Sequence, residues 1–282
     1  EPHPSRIFET RPEYLGGSLA RAVAIEPRIL ALYAQLILFP VNLCADYGLA
    51  SIGHLPLPVA VVFLGLIAGA ATIAARQDRR LVFACAMILL PLVPVANLVP
   101  IYRPAADRYL YLPMAGVAVA VACLLDAPWL AGREQWRRRG LVGCMVVVAL
   151  LGLASIQRQR VWADAVSLWD DARRKNPASV TAAAGLAEAL REAGRLTEAE
   201  AFIRKAIGLA DGRRGDDWAT LALILDAQGR TAESAAALGK ALEIEPRLAD
   251  PDARVASLAM ERRTADDLKK LLGRTRPRVE PR

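Results

Sequence analysis

From Gly140 to Ile156 the chain reads GLVGCMVVVALLGLASI, a run without a single charge. A helix needs about 17 to 25 such residues to cross the ~30 Å hydrocarbon core of a bilayer, so this run predicts a transmembrane span. Four further apolar segments precede it, at about residues 29–45, 55–75, 81–101 and 109–125. Those after the first read as full spans. The first holds Gln35, Pro40 and Asn42, which leaves two readings open, a span or an interfacial or re-entrant helix packed on the others. The third carries Pro91, Pro94 and Pro100 with Asn97 near its end. Proline removes a backbone donor inside a helix, so this segment is expected to bend, as a cavity-lining helix or as an ordinary kinked span.

Positive charge in short loops sets orientation. Arg76, Arg79 and Arg80 follow the second segment, and Arg133, Arg137, Arg138 and Arg139 follow the fourth. Both connectors are expected on the cytoplasmic side, which puts the alternate connectors and everything after Ile156 outside. An Ala, Arg and Leu bias favours a bacterial inner membrane, multi-pass, with the following domain in the periplasm. The net charge of +7 then reads as orientation signal and lipid contact, and no nucleic-acid partner is expected. Cys44, Cys85, Cys123 and Cys144 all sit in apolar segments without metal-ligand spacing, and His3 and His54 are the only histidines. No metal site is predicted.

After about residue 160 the pattern changes to amphipathic helices, and self-similarity becomes the test. LREAGRLTEAEA and LDAQGRTAESAA place Gly194 and Gly229 in matching settings 35 residues apart. Trp218, Leu221, Gly229, Ser234, Leu238, Ala241 and Pro246 form the better copy, and Ala183, Leu186, Gly194, Ala199, Ile203 and Ala206 the other, with Asp211 in place of proline. Upstream, WADAVSLWDDARRKNP supplies a second helix alone, through Ala165, Trp169, Ala172 and Pro177. These segments resemble the tetratricopeptide repeat. The resemblance implies an α-solenoid whose units bury their apolar faces only against neighbours and present a surface to a protein or peptide. Residues 249–273 read as a degenerate repeat or cap, and 274–282 as a disordered tail.

The segment RPAADRYLYLPMAG packs Arg103, Asp107, Arg108, Tyr109 and Tyr111 beside the fourth span. Arginine presents a planar fork suited to phosphate oxygens, and tyrosine suits the headgroup level. A lipid-phosphate site and a plain interfacial anchor both fit those residue types.

Upstream, LFPVNLCADYGL holds Pro40, Leu43, Asp46 and Tyr47. Taken with Asp107-Arg108-Tyr109-Leu110-Tyr111-Leu112-Pro113 and the lead into the repeats, the order resembles the carboxy-terminal half of tetratricopeptide-containing membrane O-mannosyltransferases. The resemblance implies a glycosyltransferase of the GT-C type, moving a sugar from a polyprenyl-phosphate donor to a protein hydroxyl, with Arg108 near the lipid phosphate and Asp46 and Tyr47 as accessory groups. It places the family's acidic catalytic pair in an amino-terminal half that this sequence does not contain. The catalytic residues therefore stay unassigned, no cofactor is evident, and a divalent metal would belong to a complete enzyme.

The fold class expected is all-α: about five hydrophobic helices in residues 1–160, then a tetratricopeptide-type solenoid over 161–273. Its packing positions are Trp169, Leu186, Gly194, Ala199, Trp218, Leu221, Gly229, Ala241 and Pro246. The rival to the incomplete enzyme is a membrane-anchored repeat adaptor that binds envelope or secretion proteins without chemistry of its own.

Overall fold

The computed structural model describes residues 18–48, 52, 56–97, 105–126, 133–252 and 262–275. Among these residues there are helices and short 3-10 turns and no strand. The chain divides between Ala163 and Asp164 into two compact units.

In the first unit, Ser18 caps α1 (Leu19–Leu38), its hydroxyl accepting the Arg21 N–H at 3.3 Å. The helix continues through Pro27 and stops two residues before Pro40, because the residue preceding a proline is pushed out of the helical region. A turn through Asn42, at φ 59°, leads on to α2 (Leu57–Gln77). Asp78 then caps α3 (Arg79–Leu89), accepting the Arg80 N–H at 2.8 Å. Arg80 also pairs with Asp126 at 3.1 Å, joining this corner to the end of α4 (Tyr111–Leu125). α3 and α4 pack closely at Gly116, where an added Cβ would lie 2.8 Å from the Ala84 carbonyl oxygen. α5 (Glu134–Gln159) follows and buries none of its residues.

Two helical stretches among the described residues are long and apolar enough to cross a membrane, Asp107–Leu125 and Glu134–Trp162. Of the five spans expected from the sequence, these two meet that length and hydropathy among the described residues, and the other helices differ from them locally. α1 carries Arg21, Glu26 and Arg28 in its first half. The third segment is an α-helix only to Leu89, after which Pro91 and Pro94 tighten it into the 3-10 turn Leu90–Val95. The apolar stretch of α2, Leu57–Ile73, is shorter than these two stretches. Val142, Met145, Val146, Val148 and Leu153 stand exposed around α5, and a helix apolar on all sides belongs in lipid or in a protein core.

The second unit is built from α6 (Ala165–Lys175), α7 (Val180–Glu192), α8 (Leu196–Leu209), α9 (Gly215–Ala227), α10 (Thr231–Ile244) and α11 (Arg262–Thr275). Asp164 and Ser179 cap α6 and α7 through bonds to the Ser167 and Ala182 N–H groups. α7 and α9 end in the same way. Gly194 and Gly229 take φ of 76° and 79°, and the N–H groups of Arg195 and Arg230 reach back to the Leu190 and Leu225 carbonyls at 2.9 Å. Only glycine takes that left-handed turn at little cost.

Small residues then allow the helices to cross closely. Trp169 of α6 lies over Gly185 of α7, where an added Cβ would come within 2.5 Å of the ring. Ala199 and Ala241 are fully buried. Ser234 is buried too and donates to the Ala222 carbonyl at 2.8 Å. Pro246 opens the closing 3-10 turn Pro246–Ala249. Leu186, Ile203, Leu221, Ile224 and Leu238 form one core with these. At ~1.5 to 3 kcal/mol for each large side chain removed from water, it is the main stabilising term.

α11 runs on through Arg274 and Thr275, two residues that the sequence pattern assigns to the tail. Arg274 pairs there with Asp226 at 3.0 Å.

Candidate functional site

The loop after α1 and the 3-10 turn before α4 are joined by a side-chain hydrogen bond. Asp107 opens the turn Asp107–Leu110, and the Tyr47 hydroxyl donates to Asp107 Oδ1 at 2.5 Å. The same hydroxyl accepts the Cys44 N–H at 3.1 Å, so Tyr47 is held from both sides. Burial, then the neighbouring carboxylate, push its phenol well above the ordinary range, and it stays a donor at any physiological pH. Tyr33 reaches the same turn from α1, its hydroxyl accepting the Ala106 N–H at 3.4 Å.

Arg108 follows Asp107 directly and is exposed. Its guanidinium stacks over Tyr109, 5.2 Å from the ring centroid, with a long contact of 3.5 Å to the Tyr109 hydroxyl. Stacking holds the flexible side chain and leaves the planar fork accessible. Tyr111 is 81% exposed and joins none of this. Asp46 sits in the same loop as Tyr47, and its backbone carbonyl accepts from the Cys44 thiol at 3.3 Å. Arg103 lies outside the described residues.

Sequence reasoning named Asp107, Arg108, Tyr109, Asp46 and Tyr47 but missed Glu26 and Tyr33. Glu26 accepts a bond from Asn97 Nδ2 at 3.0 Å, across 71 residues. Asn97 is 4% exposed and takes φ 51°. The signal available was Glu26 itself, an acid just before an apolar run. An apolar window opened at residue 29 passes over it.

The divalent metal expected of a complete enzyme has no ligand set among the described residues, where no three His, Cys, Asp or Glu side chains converge.

The class defined by the second unit is the tetratricopeptide repeat, whose family model matches residues 180–212 and 218–248. The chain carries two such repeats, α7–α8 and α9–α10, as the spacing of Gly194 and Gly229 predicts. The chain is also similar to the protein O-mannosyl-transferase Tmtc1 of Drosophila melanogaster, 28% identical over 130 residues. That stretch is 45% of this chain and 15% of the fly protein.

Proposed function

We propose that the protein is the membrane-embedded part and repeat domain of a GT-C-like glycosyltransferase, one that moves a sugar from a polyprenyl-phosphate donor to a protein held by the repeats. The observation carrying this reading is the Tyr47–Asp107 bond beside exposed Arg108 at the start of a helix apolar enough to cross a membrane. The fly relative's name, protein O-mannosyl-transferase, supports the sugar chemistry, and the repeats support a protein partner.

In such a transfer the acceptor oxygen bonds to the anomeric carbon while the bond from that carbon to the donor phosphate breaks. The hydroxyl proton passes to a base, which these residues leave unassigned, and the electron pair departs on the phosphate. Arg108 meets that growing charge, since its fork matches two phosphate oxygens. Asp107 and Tyr47 are positioning residues that fix the turn on which Arg108 stands. In this reading the chain lies in a bacterial inner membrane with the repeats on the periplasmic side.

The test is sugar transfer from a labelled polyprenyl-phosphate donor by a protein reconstituted in vesicles that joins this chain to the amino-terminal catalytic half the resemblance implies. Arg108→Ala is expected to lower transfer about 100-fold, as loss of one charge-stabilising donor does, with Arg108→Lys falling between. Unchanged transfer by a folded Arg108→Ala protein would sink the lipid-phosphate role. Absence of transfer from the intact protein would favour the non-enzymatic adaptor.

A further inference from the structure

Repeat arrays pack each unit against its neighbours, and α11 departs from this rule. Thr264 donates to Glu188 Oε1 at 2.6 Å across 76 residues. Arg191 donates to Asp267 Oδ2 at 3.0 Å, and Arg274 to Asp226 Oδ2 at 3.0 Å. Glu188 and Arg191 belong to α7, Asp226 to α9. α11 therefore lies across the first helices of both repeats.

The face it covers follows from helical spacing. At 3.6 residues per turn, Ala184, Glu188 and Arg191 lie on the side of α7 away from core residue Leu186. The repeat offset of 35 carries those positions to Ala219, Leu223 and Asp226 of α9. Ala219 and Leu223 are 3% and 5% exposed and share a buried cluster with Leu268, Leu271 and Leu272 of α11. A first helix with an open outer face would leave a leucine there in solvent. α11 itself buries Ala265, Leu268, Leu271 and Leu272 on one stripe, with Arg263, Asp266, Lys270 and Arg274 off it.

We propose that α11 is a self-ligand occupying the groove that α7 and α9 present to partners, and that the external ligand is an amphipathic helix with the same stripe and an acid placed to meet Arg191. Such a helix competes with α11 for the groove. This rests on the reading of the repeats as a protein-binding surface. The recognition mode is a helix in a groove, read by anchors at i, i+3, i+6 and i+7.

The test uses the full chain in detergent and a fluorescent peptide of residues 262–275. Leu268→Asp in the chain removes the central anchor of its own α11, and the peptide is expected to bind that variant at least 10-fold more tightly than the unmodified chain. Should Leu268→Asp cost helicity, the charge pair gives the answer on a folded protein. A peptide carrying Asp267→Arg is expected to bind an Arg191→Asp chain, Leu268 intact, better than a chain that keeps Arg191, and Asp267→Arg alone in the chain to open its groove to the unmodified peptide.

Equal affinity for opened and unmodified chains, or no binding to a folded opened chain, overturns the proposal. A concentration-dependent doubling of mass that α11 variants abolish would make the occupant a second copy's α11, and overturns the intrachain reading. Because the probe is the chain's own segment, groove opening without capture of any partner protein would leave the occupancy standing and sink the protein-binding reading.

Discussion

Tyr47 and Asp107 are 60 residues apart in the chain and 2.5 Å apart in space, hydroxyl to carboxylate. The bond ties the loop after the first apolar segment to the turn before the fourth. A bond to a charged group contributes about 1.5 to 3 kcal/mol. Tyr47→Phe keeps the ring and loses the donor, so it is expected to lower the thermal midpoint in detergent while Tyr111→Phe, at an exposed ring, leaves it unchanged. Equal midpoints for both variants would remove Tyr47 from the site.

A second prediction concerns Gly116. A methyl there meets the Ala84 carbonyl at 2.8 Å, Ile88 Cγ1 at 2.8 Å and Met87 Cβ at 2.9 Å, and a backbone oxygen has no rotamer to escape into. Gly116→Val is expected to destabilise the α3–α4 pair by about 1 to 3 kcal/mol or more. Gly143→Ala in α5, with nothing within 4 Å, serves as the control and is expected to be neutral. The readout is the fraction of protein surviving mild heating in detergent.

Asp217 gives the repeat unit a pH dependence. It is 2% exposed, and burial pushes its carboxyl from the ordinary 3.8 up to about 6, with Arg214 pulling down and Asp216 pushing up. The folded state holds the proton more tightly than the unfolded one. Its stabilising contribution is therefore complete below about pH 4 and is lost as pH rises through 6. Over roughly two pH units this amounts to about 3 kcal/mol. Asp217→Asn is expected to remove this loss, raising the unfolding midpoint at pH 7.5 and leaving it little changed at pH 4. A variant no more stable at pH 7.5 would contradict the assignment.

The orientation is tested by labelling. With the four native cysteines replaced, a cysteine at exposed Arg213 is expected to react with an impermeant maleimide added outside intact cells, and one at Arg79 only after the membrane is opened. The reverse pattern would invert the topology.

Much of this is legible in the sequence, and the reasons differ by element. The two repeats were readable because their determinants are local: a glycine at each left-handed turn, a small residue at each crossing, the same order 35 residues later. The meetings of Arg80 with Asp126 and of Tyr47 with Asp107 were not legible, because each joins residues far apart in the chain. Helix length was less legible, because the strongly apolar residues around Pro91 and Pro94 keep the run hydropathic past Leu89, where the α-helix ends. Glu26 was missed since its partner Asn97 is 71 residues away, and no window of sequence brings them together. The route of α11 was hidden for the same reason. Its stripe shows an amphipathic helix, but which face receives it is settled by Arg191 and Asp226.

α5 has one further consequence. Between Leu141 and Ile156 none of its side chains is buried by the rest of the protein, so shape places almost no demand on them. In a saturation mutagenesis experiment these positions would exchange Val, Leu, Ile and Met freely and reject Asp or Lys, whereas Gly116 would reject even a methyl. The residues of α5 are selected by the medium around the helix, those of α4 by a single facing surface.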